Sequence, residues 1–165
     1  MTPNLNEVIN FVDNTTNYNK IASAMRELVG QFMPIKVIED SPPFAVARLG
    51  VFSRPGQALI VEELVMYLPN SRHRAHIHDE PDAIIKIITG TGVVVIKGKP
   101  IPYQPGDVLD FPKSISHGFE VGDKATLFLS TQTPGIIRSD GSVDFKICRL
   151  RREFYFAVKN CLILT

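Results

Sequence analysis

The stretch Arg72–Gly92, RHRAHIHDEPDAIIKIITGTG, decides how this chain is read. It holds three of the four histidines and runs directly into an apolar segment that ends at a Gly-rich turn. In an extended strand successive side chains face opposite sides, so His76 and His78 share one face while His73 and Ile77 share the other. Two imidazoles about 7 Å apart along a strand can tilt together and meet a metal ion at about 2.0–2.1 Å from each nitrogen. His73, on the opposite face, reads as an ordinary exposed imidazole. Arg72 and Arg74 share the parity of His76, and Arg74 is a candidate to reach into a pocket mouth and grip a ligand carboxylate bidentately. The acidic residues Asp79, Glu80 and Asp82 read as a solvated turn, with Asp82 a candidate metal ligand. Further on, Ala83, Ile85 and Ile87 should line a core, with Lys86 outside.

Outward from this stretch, the pattern from about residue 34 is of short β-branched and aromatic runs separated by SRPG, LPNS, KGKP, QPGD, VGDK and SDGS. Such a series supplies the strands of a sandwich or small barrel. Upstream, Leu5, Val8, Ile9 and Val12 follow a Thr2-Pro3 opening at helical spacing, and Ile21, Met25, Leu28, Val29 and Phe32 repeat the stripe, weakened at Gly30. Two N-terminal helices are predicted, covering an open end of the barrel or packing on a second subunit. Near the end, Ile147, Leu150, Phe154, Val158 and Cys161 return to helical spacing, which favours a C-terminal helix over a strand through FYFAV.

Composition narrows the classes of function. With 165 residues and 44% hydrophobic content, one domain with a proper core is expected. The two cysteines, Cys148 and Cys161, form no Cys-x-x-Cys pair and read as reduced thiols in a reducing compartment. The acidic N-terminus lacks a signal-peptide pattern, and no run of about 18 apolar residues offers a membrane span. A cytoplasmic chain that uses no membrane is expected. Eighteen Lys+Arg against seventeen Asp+Glu leave a formal charge of +1, which gives no overall field to attract nucleic acid.

The fourth histidine completes the pattern. In YQPGDVLDFPKSISHGFEV, the turn QPGD, the short strand VLDF and the turn PKS deliver His117 on a following strand, from which it can return to His76 and His78 across an antiparallel sheet. The stretch His76–Gly90 resembles the first cupin motif, and Gly106, Pro112 and His117 fit the spacing of the second. Ser114 stands where that motif usually has Gly, and Val121 where it often has Asn. The resemblance covers roughly Phe44 to Gly135. It implies a mainly β fold, a single cupin double-stranded β-helix or jelly-roll barrel over 41–145. A helical extension over 1–40 and a C-terminal segment over 146–165 flank it.

The resemblance also implies chemistry. His76, His78 and His117 become ligands of a divalent transition metal, with iron, zinc, nickel and copper all suited to imidazole. Counting back seven from Gly90, the place of the family's metal-binding acid is held by Ala83, with Asp82 one residue away. A regular strand turns Asp82 to the other face, whereas a bulge around Pro81 would return it. Without it, three neutral imidazoles leave the ion's charge uncompensated and favour anionic oxygen ligands. Phe119 and Phe128 are candidate pocket walls, and Gln132 a candidate polar contact with a small polar or anionic metabolite. Dioxygenase-like chemistry is the first expectation, isomerase or lyase chemistry the next. A non-catalytic binding or sensing module, and a metal-free epimerase with a histidine base, are the alternatives. A homodimer is implied by the family.

Overall fold

Alternation and turn chemistry build the strands. In the computed structural model, which describes residues 18–30, 35–38, 43–53, 55–138 and 140–148, they are β1 (Ile35–Ile38), β2 (Phe44–Phe52), β3 (Ile60–Tyr67), β4 (Arg72–Ile77), β5 (Asp82–Thr89) and β6 (Gly92–Ile96), followed by β7 (Lys99–Tyr103), β8 (Val108–Phe111), β9 (His117–Val121), β10 (Thr126–Thr133) and β11 (Lys146–Ile147). A helix, α1 (Tyr18–Val29), precedes them. The strands form two antiparallel sheets, one of six in the order β1-β2-β3-β10-β5-β8 and one of five in the order β11-β4-β9-β6-β7. This is the mainly β jelly-roll expected. The β6–β7 connection is a two-residue hairpin, Lys97-Gly98, with φ of 51° and 76°. Positive φ at both positions matches the right-handed twist of the strands it joins.

Parity along the strands sorts residues between two apolar clusters. Facing the interior are Val46, Val65, Tyr67, Ala83, Ile85, Ile87, Phe111 and Phe128 from the six-stranded sheet, against Val94, Tyr103, Phe119 and Val121 from the other. Ala83, Ile85 and Ile87 are buried and Lys86 is exposed, as the alternation demands. The other face of β2, β3 and β10 would be an exposed apolar surface without α1. Ile21, Ala24 and Met25, on one stripe of that helix, cover Ala45, Ala47, Leu64, Met66 and Leu127. The helix therefore packs on the outer face of the sheet and not over an open end. It stops at Gly30, whose φ of 92° and N–H bond to the Arg26 carbonyl make a left-handed C-terminal cap.

β1, an edge strand paired with β2, lies where the β pattern begins at about residue 34. Two expectations are corrected. Ile147 lies on β11, paired with His76, because a free edge of β4 offers it backbone hydrogen bonds that helical spacing alone cannot reveal. Cys148 is disulfide-bonded and not a reduced thiol, which removes the support it lent to a reducing compartment. The predicted first helix, Phe32, Cys161 and residues 149–165 lie outside the described residues. Among the described residues, no helix is long and apolar enough to cross a membrane.

Candidate metal centre

His76 and His117 face one another directly across β4 and β9, and the strand pairing explains how His73 joins the same interior. Between the pairs His73–Phe119 and His76–His117, β4 spends two residues, Arg74 and Ala75, against the single Gly118 of β9. This is a β-bulge, and it resets the alternation. His73 is therefore buried, not exposed as strict alternation predicts, and its ring stacks on Tyr67 with centroids 3.7 Å apart. The sequence signal for the bulge was Gly118, since a glycine inside a strand marks close backbone approach. A Cβ there would stand 2.8 Å from the His73 carbonyl oxygen and 3.0 Å from the Ala75 nitrogen.

Beyond the bulge, His76, His78 and His117 are all buried, and one potential ligand atom from each lies within 4.8 Å of the others. Each ring has its other nitrogen committed. His76 Nδ1–H donates to the Arg74 carbonyl and His117 Nδ1–H to the Ile115 carbonyl, both at 2.9 Å, and His78 Nδ1–H donates to the Asp144 carbonyl. A carbonyl only accepts, so the proton sits on Nδ1 and Nε2 is left with its lone pair. Hydrogen bonds of this kind fix tautomer and ring orientation in metal-ligating histidines.

Electrostatics point the same way. Burial, then the neighbouring His117 and His78, hold the His76 pKa well below its ordinary value. Burial and His78 bring His117 down to about 4, and burial lowers His78 against the opposing pull of Asp144. Near neutral pH all three are neutral, the form that ligates a metal. The donor set fits a divalent transition ion.

With the geometry in hand, comparison with known proteins shows which fold and domain the chain shares. The cupin domain profile matches residues 63–131, which span β3 to β10 and contain all three histidines. The chain carries a cupin domain over these residues. Among solved structures, a predicted oxalate decarboxylase from Thermotoga maritima is 22% identical with a TM-score of 0.52, over 62% of this chain and 94% of its own. The Streptomyces protein PAC13, solved with uridine, is 12% identical with a TM-score of 0.50, over 70% and 84%. These share the cupin fold. Among curated proteins, none matches the chain significantly.

The cupin motif positions now have physical meaning. Gly90 takes a φ of 82°, and a Cβ there would meet the Ala125 carbonyl oxygen at 2.6 Å. Ser114, where the second motif usually has Gly, holds a left-handed φ of 61°. Its N–H donates to the His78 carbonyl at 2.7 Å, so this turn also fixes the third histidine.

Of the other candidates, none stands in the histidine group. Asp82 is exposed and accepts the Lys113 N–H at 2.9 Å. The bulge near the histidines lies on β4 and not around Pro81, and Ala83 faces the core. Arg74 is exposed, because the bulge gives its position to the outside. Phe119 and Phe128 stack in the core with centroids 5.8 Å apart and near-parallel rings. Gln132 is buried on the inner face and bonded to Glu63, Ser130 and the Ile136 N–H.

Two residues that sequence reading missed complete the centre. Asp144 and Phe145 arrive with β11, which pairs along the free edge of β4. The Phe145 ring stacks on His76 with centroids 4.1 Å apart. The buried Asp144 carboxylate accepts the N–H groups of Asp79 and Glu80, both at 3.0 Å, while its own carbonyl holds His78. Their contact with the histidines spans more than sixty residues of chain, and no local motif marks it.

Proposed function

We propose that this cupin binds a divalent first-row transition metal through Nε2 of His76, His78 and His117 and acts on a small anionic metabolite as a metalloenzyme, dioxygenase-like or an isomerase or lyase. The observation that carries the reading is the shared hydrogen-bond pattern: three buried imidazoles, each with Nδ1–H donated to a backbone carbonyl, keep three lone pairs close together. Bound there, the ion supplies Lewis acidity and, if iron, access to dioxygen chemistry. The protein supplies orientation and a dry interior, with Phe145 and Phe111 packed on the rings of His76 and His117. Exposed Ile84 and Val108, on the outer face of β5 and β8, support the further reading of a homodimer.

One observation favours a second reading, a binding module without turnover. The Asp144 carboxylate, which acts on His78, is committed to two backbone N–H groups and is poorly placed to carry protons.

Elemental analysis of freshly purified protein, followed by titration with iron, zinc, nickel and copper, tests the proposal. A first-row metal should be present or taken up, and His76→Ala, His78→Ala and His117→Ala should each lose it while circular dichroism stays unchanged. Asp82→Asn should bind as wild type does. No uptake of any of the four metals would sink the metalloprotein reading, and dioxygenase, isomerase and lyase assays on the loaded protein separate enzyme from binding module.

A further inference from the structure

Across the interior from the histidines, the wall of the six-stranded sheet carries a cluster of buried polar side chains. Register defines its position. Phe111, Ala83 and Gln132 form one row of inward-facing residues, and Leu109, Ile85, Ser130, Glu63 and Arg48 form the next. The Phe111 ring lies 4.6 Å from that of His117, which puts the first row at the level of the metal centre. Gln132, Ser130, Glu63 and Arg48 thus sit on the facing sheet at the same end of the barrel, and facing sheets stand about 10 Å apart.

The cluster is built around a carboxylate with no exposed side-chain surface. Glu63 Oε1 accepts Nε and Nη2 of Arg48 at 3.1 and 2.8 Å, and its Oε2 accepts the Gln132 amide at 3.3 Å. That amide also donates to Ser130 Oγ at 2.9 Å, and its oxygen accepts the Ile136 N–H at 2.9 Å. Every polar group on the Glu63 side is satisfied. Arg48 differs, since its side chain is 34% exposed and only Nε and Nη2 are engaged with Glu63. The remaining N–H groups, on Nη1 above all, have no partner among the described residues.

A buried ion pair rarely stabilises a fold better than apolar side chains of the same size. What this one does is hold a planar, part-exposed guanidinium at a fixed angle, with donors left free. Such donors suit a carboxylate. The opposite wall makes the matching demand, because an ion on three neutral imidazoles favours anionic oxygen.

We infer that Arg48, positioned by Glu63, Ser130 and Gln132, binds one carboxylate of a small dicarboxylic acid whose other end meets the ion held by His76, His78 and His117. This inference rests on the metal reading above, and it adds the substrate class and the residue that selects it.

Calorimetric titration of zinc-loaded protein, its metal content measured first, compares succinate and glutarate with their half-amides, succinamate and glutaramate. The diacids should bind roughly tenfold or more tighter, as a charge-assisted contact requires. In R48Q/E63Q, where no buried charge is left unpaired, that preference should fall to about twofold or less with metal content unchanged. Arg48→Lys keeps a cation beside Glu63 but lacks the fork, and should lower the preference roughly threefold or more, which serves if the double variant does not fold. Equal binding of diacid and half-amide by wild type, or a wild-type preference retained in a folded, metal-loaded variant, would overturn the inference and leave the metal reading standing. Failure of wild type to take up zinc or any other first-row metal would overturn both.

Discussion

At the scale of single residues, burial makes His76, His78 and His117 neutral, and backbone carbonyls decide which nitrogen carries the proton. This has a consequence for the metal-free chain. His117 titrates at about 4 in the fold against 6.5 unfolded, so between those values the unfolded chain binds more protons. Stability from this residue is present above about pH 6.5 and is lost as pH falls toward 4, by up to about 3 kcal/mol. His76 acts in the same direction. Urea unfolding of chelator-treated protein at about pH 7 and about pH 4 should show the drop, and His117→Asn should reduce it. A flat profile would mean that the rings are solvated. The three histidines themselves were legible from His-x-His and the spacing of Gly106, Pro112 and His117, since ligand type and motif spacing are local. The burial of His73 was not, because its face depends on how β9 pairs with β4.

At the scale of elements, the β4 bulge and the β11 pairing shape the centre. Gly118→Val would push a side chain into the bulged backbone at His73 and Ala75. A cost of about 1–3 kcal/mol is expected from such overpacking, together with weaker metal binding, because the bulge sets the face of His76. Denaturant melts and metal titration of one preparation check both, and wild-type values in both would mean that the bulge relaxes freely. Asp144 bridges the turn after β4 to the segment before β11. Asp144→Ala should lower metal affinity by roughly ten- to a hundredfold, the usual effect of losing an outer partner of a ligand. Asp144→Asn, which keeps one accepting oxygen, should recover part of it. Unchanged affinity in the alanine variant would show that the carbonyl of residue 144 positions His78 without help from the side chain.

Over the whole molecule, α1 seals one face of the six-stranded sheet and the five-stranded sheet covers the other, so the barrel has a core that needs no ion. Metal should add stability by linkage only. At free metal a hundredfold above Kd the gain is about 2.7 kcal/mol, or roughly 5–10 °C in Tm for a chain of this size. Differential scanning calorimetry with and without zinc should show that shift in wild type and none in His117→Ala. A His117→Ala chain that fails to fold without metal would contradict an independent core.

What the sequence determined by itself is whatever a local pattern encodes. Period-two alternation placed Ala83, Ile85 and Ile87 inside, the glycines at 90 and 106 marked turns, and the apolar stripe over Ile21 and Met25 marked α1. Only the tertiary structure decided the rest. Asp144 reaches His78, and Arg48 meets Glu63, through pairings between strands far apart in the chain. Ile147 became a strand because the edge of β4 was open to it. Backbone hydrogen bonds across a sheet join residues by register, and register is a property of two strands at once, which no single stretch of sequence carries.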